Sequence, residues 1–231
     1  MHDRRGTLLG GSLYSEAVGK PTNLDPVIDI SNIKFGGSRD LQKKMERRLT
    51  EAADAFAAER FGESARMTEA MNKLCPGILE IEELRGLSLY RLSKWKEAIK
   101  FLTRVEEATH EVTHHAIIAD CHRALGEFRS AERLWDETRR RGVSVELLEE
   151  ARIVQAGALK DQGKTKEAIE LLESASKPGK NPSIFVLRRL YVLAGYHEAA
   201  GNLSKARSAW QQIVKHDRSF GDAAERLADL S

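Results

Sequence analysis

Apolar residues recur along most of this chain at the helical period, in paired runs separated by short polar turns. The clearest pair spans residues 83–105, ELRGLSLYRLSKWKEAIKFLTRV, where Ala98, Leu102 and Val105 fall at i, i+4 and i+7 on one face of the second run. Gly86 lies twelve residues before Ala98, and the same interval returns as Ala52 and Ser64, Ala119 and Ala131, Ala156 and Ala168, and Ala194 and Ala206. Two antiparallel helices approach most closely where both carry small side chains, so each such pair predicts the crossing point of a helical hairpin. The matching stripes are Ser64, Thr68, Met71; Ala131, Trp135, Thr138; Ala168, Leu172, Ala175; and Ala206, Trp210, Ile213.

The second small residue of each pair advances by 34, 33, 37 and 38 positions, and a period in the mid-thirties means stacked helical hairpins. The pattern places them at about 38–76, 78–108, 111–142, 144–176 and 183–215, followed by a capping helix at 219–230. Ser38 is the expected N-cap of the first helix, Gly126 and Gly163 mark hairpin turns, and Gly142 ends a helix. Phe61, Trp95, Phe128 and Leu203, at matching turn positions, are expected in the seams between hairpins. Asn181 and Pro182, closing the loop SKPGKNPS, form an expected N-cap and first-turn pair. In the capping helix, Phe220, Ala224 and Leu227 should cover the last hairpin while Asp222, Glu225, Arg226 and Asp229 face water.

Residues 1–37 are rich in Gly, Asp, Asn and Ser and show no sustained period, which predicts a disordered arm. Within it, VIDISNIKF (27–35) alternates like a strand but has no partner strand, and is expected to be extended.

Set against known families, GLSLYRLSKWKEAIKFL, ADCHRALGEFRSAERLW, AGALKDQGKTKEAIELL and AGYHEAAGNLSKARSAW each resemble the tetratricopeptide repeat (TPR). That pattern has Gly or Ala in its first helix, Ala early in the second, and a bulky residue four places later. The first unit departs from it at Ser64 and Thr68, and the Trp usual early in the first helix is missing throughout. The phrase AIIADCHRALGEFRSAERL with the closing AAERLADL is also similar to a group of uncharacterised actinobacterial repeat proteins. The resemblance implies an all-α, TPR-like right-handed superhelix, an α-solenoid of about five hairpins plus a capping helix. It also implies a protein or peptide partner held in a concave groove lined by first helices. On that register the groove includes Leu49, Phe56, Glu83, Leu87, Tyr90, Asp120, Arg123, Ile153, Lys160, Arg188 and Tyr191, with Ala116. Some family members grip a chaperone's terminal carboxylate through Asn residues on this face. The corresponding positions here are Ala53, Leu87, Asp120, Gly157 and Gly195, so that clamp is not expected.

Composition narrows the function classes. Of 231 residues, 37 Lys and Arg nearly balance 35 Asp and Glu, so no net field draws in nucleic acid or anionic lipid. No apolar run approaches 18 residues, so no membrane span is expected. Arg4 and Arg5 precede a short apolar stretch, but Gly10, Gly11, Ser12 and Glu16 interrupt it, and no export signal is read there. Cys75 and Cys121 lack paired spacing and are expected as buried thiols, which suits a reducing cytoplasm.

One string suggests catalysis. His110-Glu111-Val112-Thr113-His114 satisfies H-E-x-x-H, two zinc ligands one helical turn apart with a general base between them. The repeat register puts His110 in a turn rather than on that helix, which breaks the geometry. No phosphate loop and no activated nucleophile is present in sequence. Arg139, Arg140 and Arg141 are read as helix C-terminal cations favoured by the dipole. The expectation is a non-catalytic interaction scaffold with no cofactor or metal; a zinc hydrolase built on the histidines and an RNA-associated repeat protein are the alternatives.

Overall fold

The computed structural model describes residues 33–230, and all regular structure among them is helical. Eleven helices follow in order among these residues: α1 Arg39–Ala57, α2 Phe61–Leu74, α3 Leu79–Arg91, α4 Trp95–Thr109, α5 His115–Ala124, α6 Phe128–Arg140, α7 Val145–Asp161, α8 Thr165–Glu173, α9 Ile184–Ala199, α10 Leu203–His216 and α11 Ala223–Asp229. They fall into two compact units, residues 33–125 and 126–230.

In the first unit α1, α2, α3, α4 and α5 pack in succession, and α1 also touches α3. In the second, α6 to α11 pack in the same succession and α7 meets α9. Contact between neighbours plus contact between alternate helices is what stacked hairpins require.

Most of the stripes predicted from periodicity are buried faces, but Trp135 is half-buried, and Ala175 is half-buried and lies past the end of α8 at Glu173. Ala98, Leu102, Ala131, Ala168, Leu172, Ala206 and Ile213 are wholly covered, as are Ser64, Thr68 and Met71 of the first hairpin. The polar members of that hairpin satisfy themselves locally. Thr68 Oγ1 donates to the Ser64 carbonyl at 2.8 Å, and the Ser88 hydroxyl lies 3.0 Å from that of Ser64. Gly86 is needed where it stands, because a Cβ there would come within 2.7 Å of Leu102 Cδ2 and 2.8 Å of its Cγ. The tight partner of Gly86 is thus Leu102, one turn beyond the small residue Ala98.

The five hairpin turns share one conformation. Glu59, Ser93, Gly126, Gly163 and Gly201 occupy the left-handed region with φ of 58°, 58°, 74°, 77° and 73°. Each next residue has φ from −82° to −88° and ψ from 53° to 63°. The amides of Arg60, Lys94, Lys164 and Asn202 reach back to the carbonyls of Ala55, Leu89, Leu159 and His197 at 2.8–2.9 Å, closing the first helix of each with a Schellman motif.

Some local expectations need correction. Leu203 is 54% exposed rather than seated in a seam: it opens α10, and only the short α11 follows among the described residues. The N-cap of α9 is Ser183, not Asn181, so Pro182 lies before the helix rather than in its first turn. Asp222 and Arg226 do not simply face water: Asp222 accepts the Tyr191 hydroxyl and Arg226 pairs with Glu198. Most of the expected arm, residues 1–32, lies outside the described residues. Its end is anchored, with Ile33 and Phe35 buried while Gln42 accepts the Phe35 amide at 2.9 Å and donates to the Ile33 carbonyl at 2.6 Å.

Candidate functional site: the faces of the first helices

In the first unit the face of α1, α3 and α5 is largely closed. Leu49 and Phe56 on α1 and Leu87 on α3 are buried, as is Ala116 on α5. Tyr90, also buried, donates its hydroxyl across to Asp120 Oδ2 on α5 at 2.7 Å, and Arg123 Nε donates to Oδ1 of the same carboxylate at 2.8 Å. Asp120 is 1% exposed, so its charge stands on these two donors. Glu83 keeps more exposure, with Oε1 3.0 Å from His114 Nε2.

In the second unit, α7 and α9 are joined by two buried ion pairs. Arg188 Nη1 lies 3.0 Å from Glu150 Oε1 and Arg189 Nε 2.6 Å from Glu149 Oε2. Arg189 also donates to the carbonyls of Leu172 and Ser176 at 3.0 Å each, tying the long loop after α8 to α9. Ile153 is buried beside these charges. Lys160 is half-buried, its ammonium 4.4 Å from the centre of the Tyr196 ring. Tyr191 packs edge-on against Trp210 with ring centres 5.0 Å apart, and its hydroxyl donates to Asp222 at 2.5 Å. Burial first, and then the adjacent Asp222 carboxylate, raise the Tyr191 phenol above its usual range.

The eleven expected groove residues therefore divide. Leu49, Phe56, Leu87, Tyr90, Asp120, Ile153 and Arg188 are covered, while Glu83, Arg123, Lys160 and Tyr191 keep partial exposure. Sequence reasoning passed over the Glu150–Arg188 pair, although a signal was there. The two positions are 38 residues apart, the same advance as Ala168 to Ala206, so opposite charges occupy one register position in successive repeats.

The H-E-x-x-H string does not form a helical zinc motif. His110 is the left-handed C-cap of α4 at φ 59°, Glu111 to Thr113 are non-helical, and His114 precedes α5. His114 Nε2 faces Glu83, while His115 Nδ1 meets Glu106 Oε2 at 2.8 Å. Among the described residues no group of three or more His, Cys, Asp or Glu is placed to hold a metal ion. Cys75 and Cys121 are buried free thiols, and burial followed by the charge of Asp120 pushes the Cys121 thiol upward, away from reactivity. Arg139 and Arg141 pair with Asp136 and Glu137, each at 3.0 Å, and Arg140 Nε donates to the Asp136 carbonyl. No helix among the described residues is long and apolar enough to cross a membrane.

Successive hairpins of uniform turn, knit through their first helices, define a TPR-like helical-repeat fold. The chain is similar to the crystal structure of TTC0263, a thermophilic TPR protein of Thermus thermophilus. The TM-score is 0.61 at 13% identity over 80% of this chain and 98% of that one, a likeness of fold. No family model matches the chain, and no curated protein matches it.

Proposed function

We propose that this protein is a non-catalytic scaffold that holds a peptide or protein partner against the faces of its first helices. The observation that carries this reading is the cross-repeat bonding of those helices. Tyr90 reaches Asp120 and Tyr191 reaches Asp222 across 30 and 31 residues, and Arg188 reaches Glu150. Each unit then presents a fixed surface, and a rigid surface binds without the ordering cost that a mobile one incurs. The buried members, Leu49, Phe56, Leu87, Tyr90, Asp120, Ile153 and Arg188, act as the frame; Glu83, Arg123, Lys160 and Tyr191 supply the contacts. Their mixture of cation, anion and phenol suits a partner segment of mixed charge with apolar anchors.

The test is affinity capture from the native cell with wild type and a Glu83→Lys, Lys160→Glu double variant. Both positions are partly exposed, so the variant should keep its helical content and melting behaviour. Loss of the specific partners is the expected result, and an unchanged set of partners overturns the reading.

A further inference from the structure

An excess of positive charge runs from Lys34 into the first half of α1. Residues 34–48 hold six cations against Asp40 and Glu46, a net +4 in a chain whose total is only +2. Lys34, Arg39, Lys43, Lys44 and Arg47 are exposed, and Arg48 is half-buried. Among the described residues only Arg47 of these has a carboxylate within ion-pair distance, Glu51 at 3.5 Å, and the Glu46 carboxylate is taken up by the Gln42 amide at 2.7 Å. The neighbouring α2 is balanced by contrast, with Glu63 and Glu69 against Arg66 and Lys73.

Arg39, Lys43 and Arg47 are spaced i, i+4, i+8, so they form one line on the solvent side with Lys44 beside it, opposite buried Met45, Leu49 and Phe56. Eight residues of helix span about 12 Å. One and two turns further along, the exposed carboxylates of Glu51 and Asp54 end the basic stretch. A long polyanion or a lipid surface would have to face those carboxylates as well. Nothing aromatic is exposed between residues 34 and 48 for bases to stack on, and no large apolar side chain there is exposed to enter a bilayer. An extended peptide covers about 12 Å with roughly four residues.

We propose that the outer face of α1 docks a short acidic segment of a partner protein, its Asp and Glu carboxylates meeting Arg39, Lys43, Lys44 and Arg47. This surface is separate from the first-helix face, so either reading can fail while the other stands. The test is fluorescence anisotropy with a labelled hexaglutamate peptide. Binding should weaken at least tenfold on raising salt from 50 to 200 mM, as expected of exposed charges. A Lys43→Glu, Lys44→Glu variant should bind at least tenfold more weakly than wild type. A Lys96→Glu, Lys100→Glu control, with the same change of net charge on exposed positions of α4, should differ from wild type by less than twofold. Equal losses in both variants, no loss in the first, or no binding at 50 mM salt overturns the proposal. So does tighter binding of a single-stranded RNA decamer or of phosphatidylserine vesicles through the same residues. Circular dichroism of both variants confirms that the helices remain.

Discussion

At Gly86 two residue-scale effects oppose each other. Alanine in a helix interior is favoured over glycine by about 1 kcal/mol. Here the added methyl would press on Leu102, which is wholly buried and cannot swing aside, and overpacking of that kind costs about 1–3 kcal/mol. Gly86→Ala should therefore lower stability by about 1 kcal/mol in urea unfolding, and a stabilised variant would mean that the contact is looser than described. The turns give the opposite sign. Ser93 holds φ 58° with a side chain that gains nothing from it, so Ser93→Gly should raise stability by about 1 kcal/mol. Gly163→Ala, with open space around the added Cβ, should lose about as much from backbone strain alone. His197 adds a pH dependence. Burial, which outweighs the opposing pull of Glu173, holds its imidazole below the usual histidine value, so the folded protein binds that proton less readily than the unfolded chain. Stability should then fall as pH drops below about 6.5, the ordinary histidine value. His197→Gln should flatten that fall in thermal melts followed between pH 7.5 and 5.5.

Among elements, α7 and α9 depend on charges that must stay paired. Removing one partner, as in Glu150→Ala, takes the Glu150 carboxylate away from Arg188 in a covered site and should cost about 3–5 kcal/mol. Replacing both, Glu150→Met with Arg188→Leu, should cost much less, because the penalty lies in the uncompensated charge. A double-mutant cycle in urea measures the difference, and additive losses would contradict it. The helices themselves were legible in sequence because stripes such as Ala98, Leu102 and Val105 announce a buried face directly. Hairpin turns were legible from the polar breaks between runs, and glycine marked the left-handed position at 126 and 163, whereas Glu59 and Ser93, both exposed, take that geometry with no glycine to announce it. The register also carried the Glu150–Arg188 pair, which a search for complementary charges one repeat apart would have found. Tyr191 with Asp222 was harder to see, since its acceptor belongs to the shortened final helix rather than to a full repeat.

For the molecule as a whole, repetition supplies the fold, and in the proposed reading it supplies the partner surface as well. In such an array stability is shared among the helix crossings, and in the proposed scaffold the first-helix faces carry the specificity. The division of groove residues into frame and contacts could not be read from the register alone, because position in a repeat says which way a side chain points and not how much of it the next helix covers. The most direct test is crosslinking mass spectrometry of the protein with its partners in the native cell, using an amine-reactive linker. The account predicts that crosslinks from the partner captured through the first-helix face concentrate at Lys160 and are sparse at Lys96, Lys100 and Lys166 on the second helices. Crosslinks from that partner confined to those second-helix lysines, with Lys160 unmodified, would contradict it.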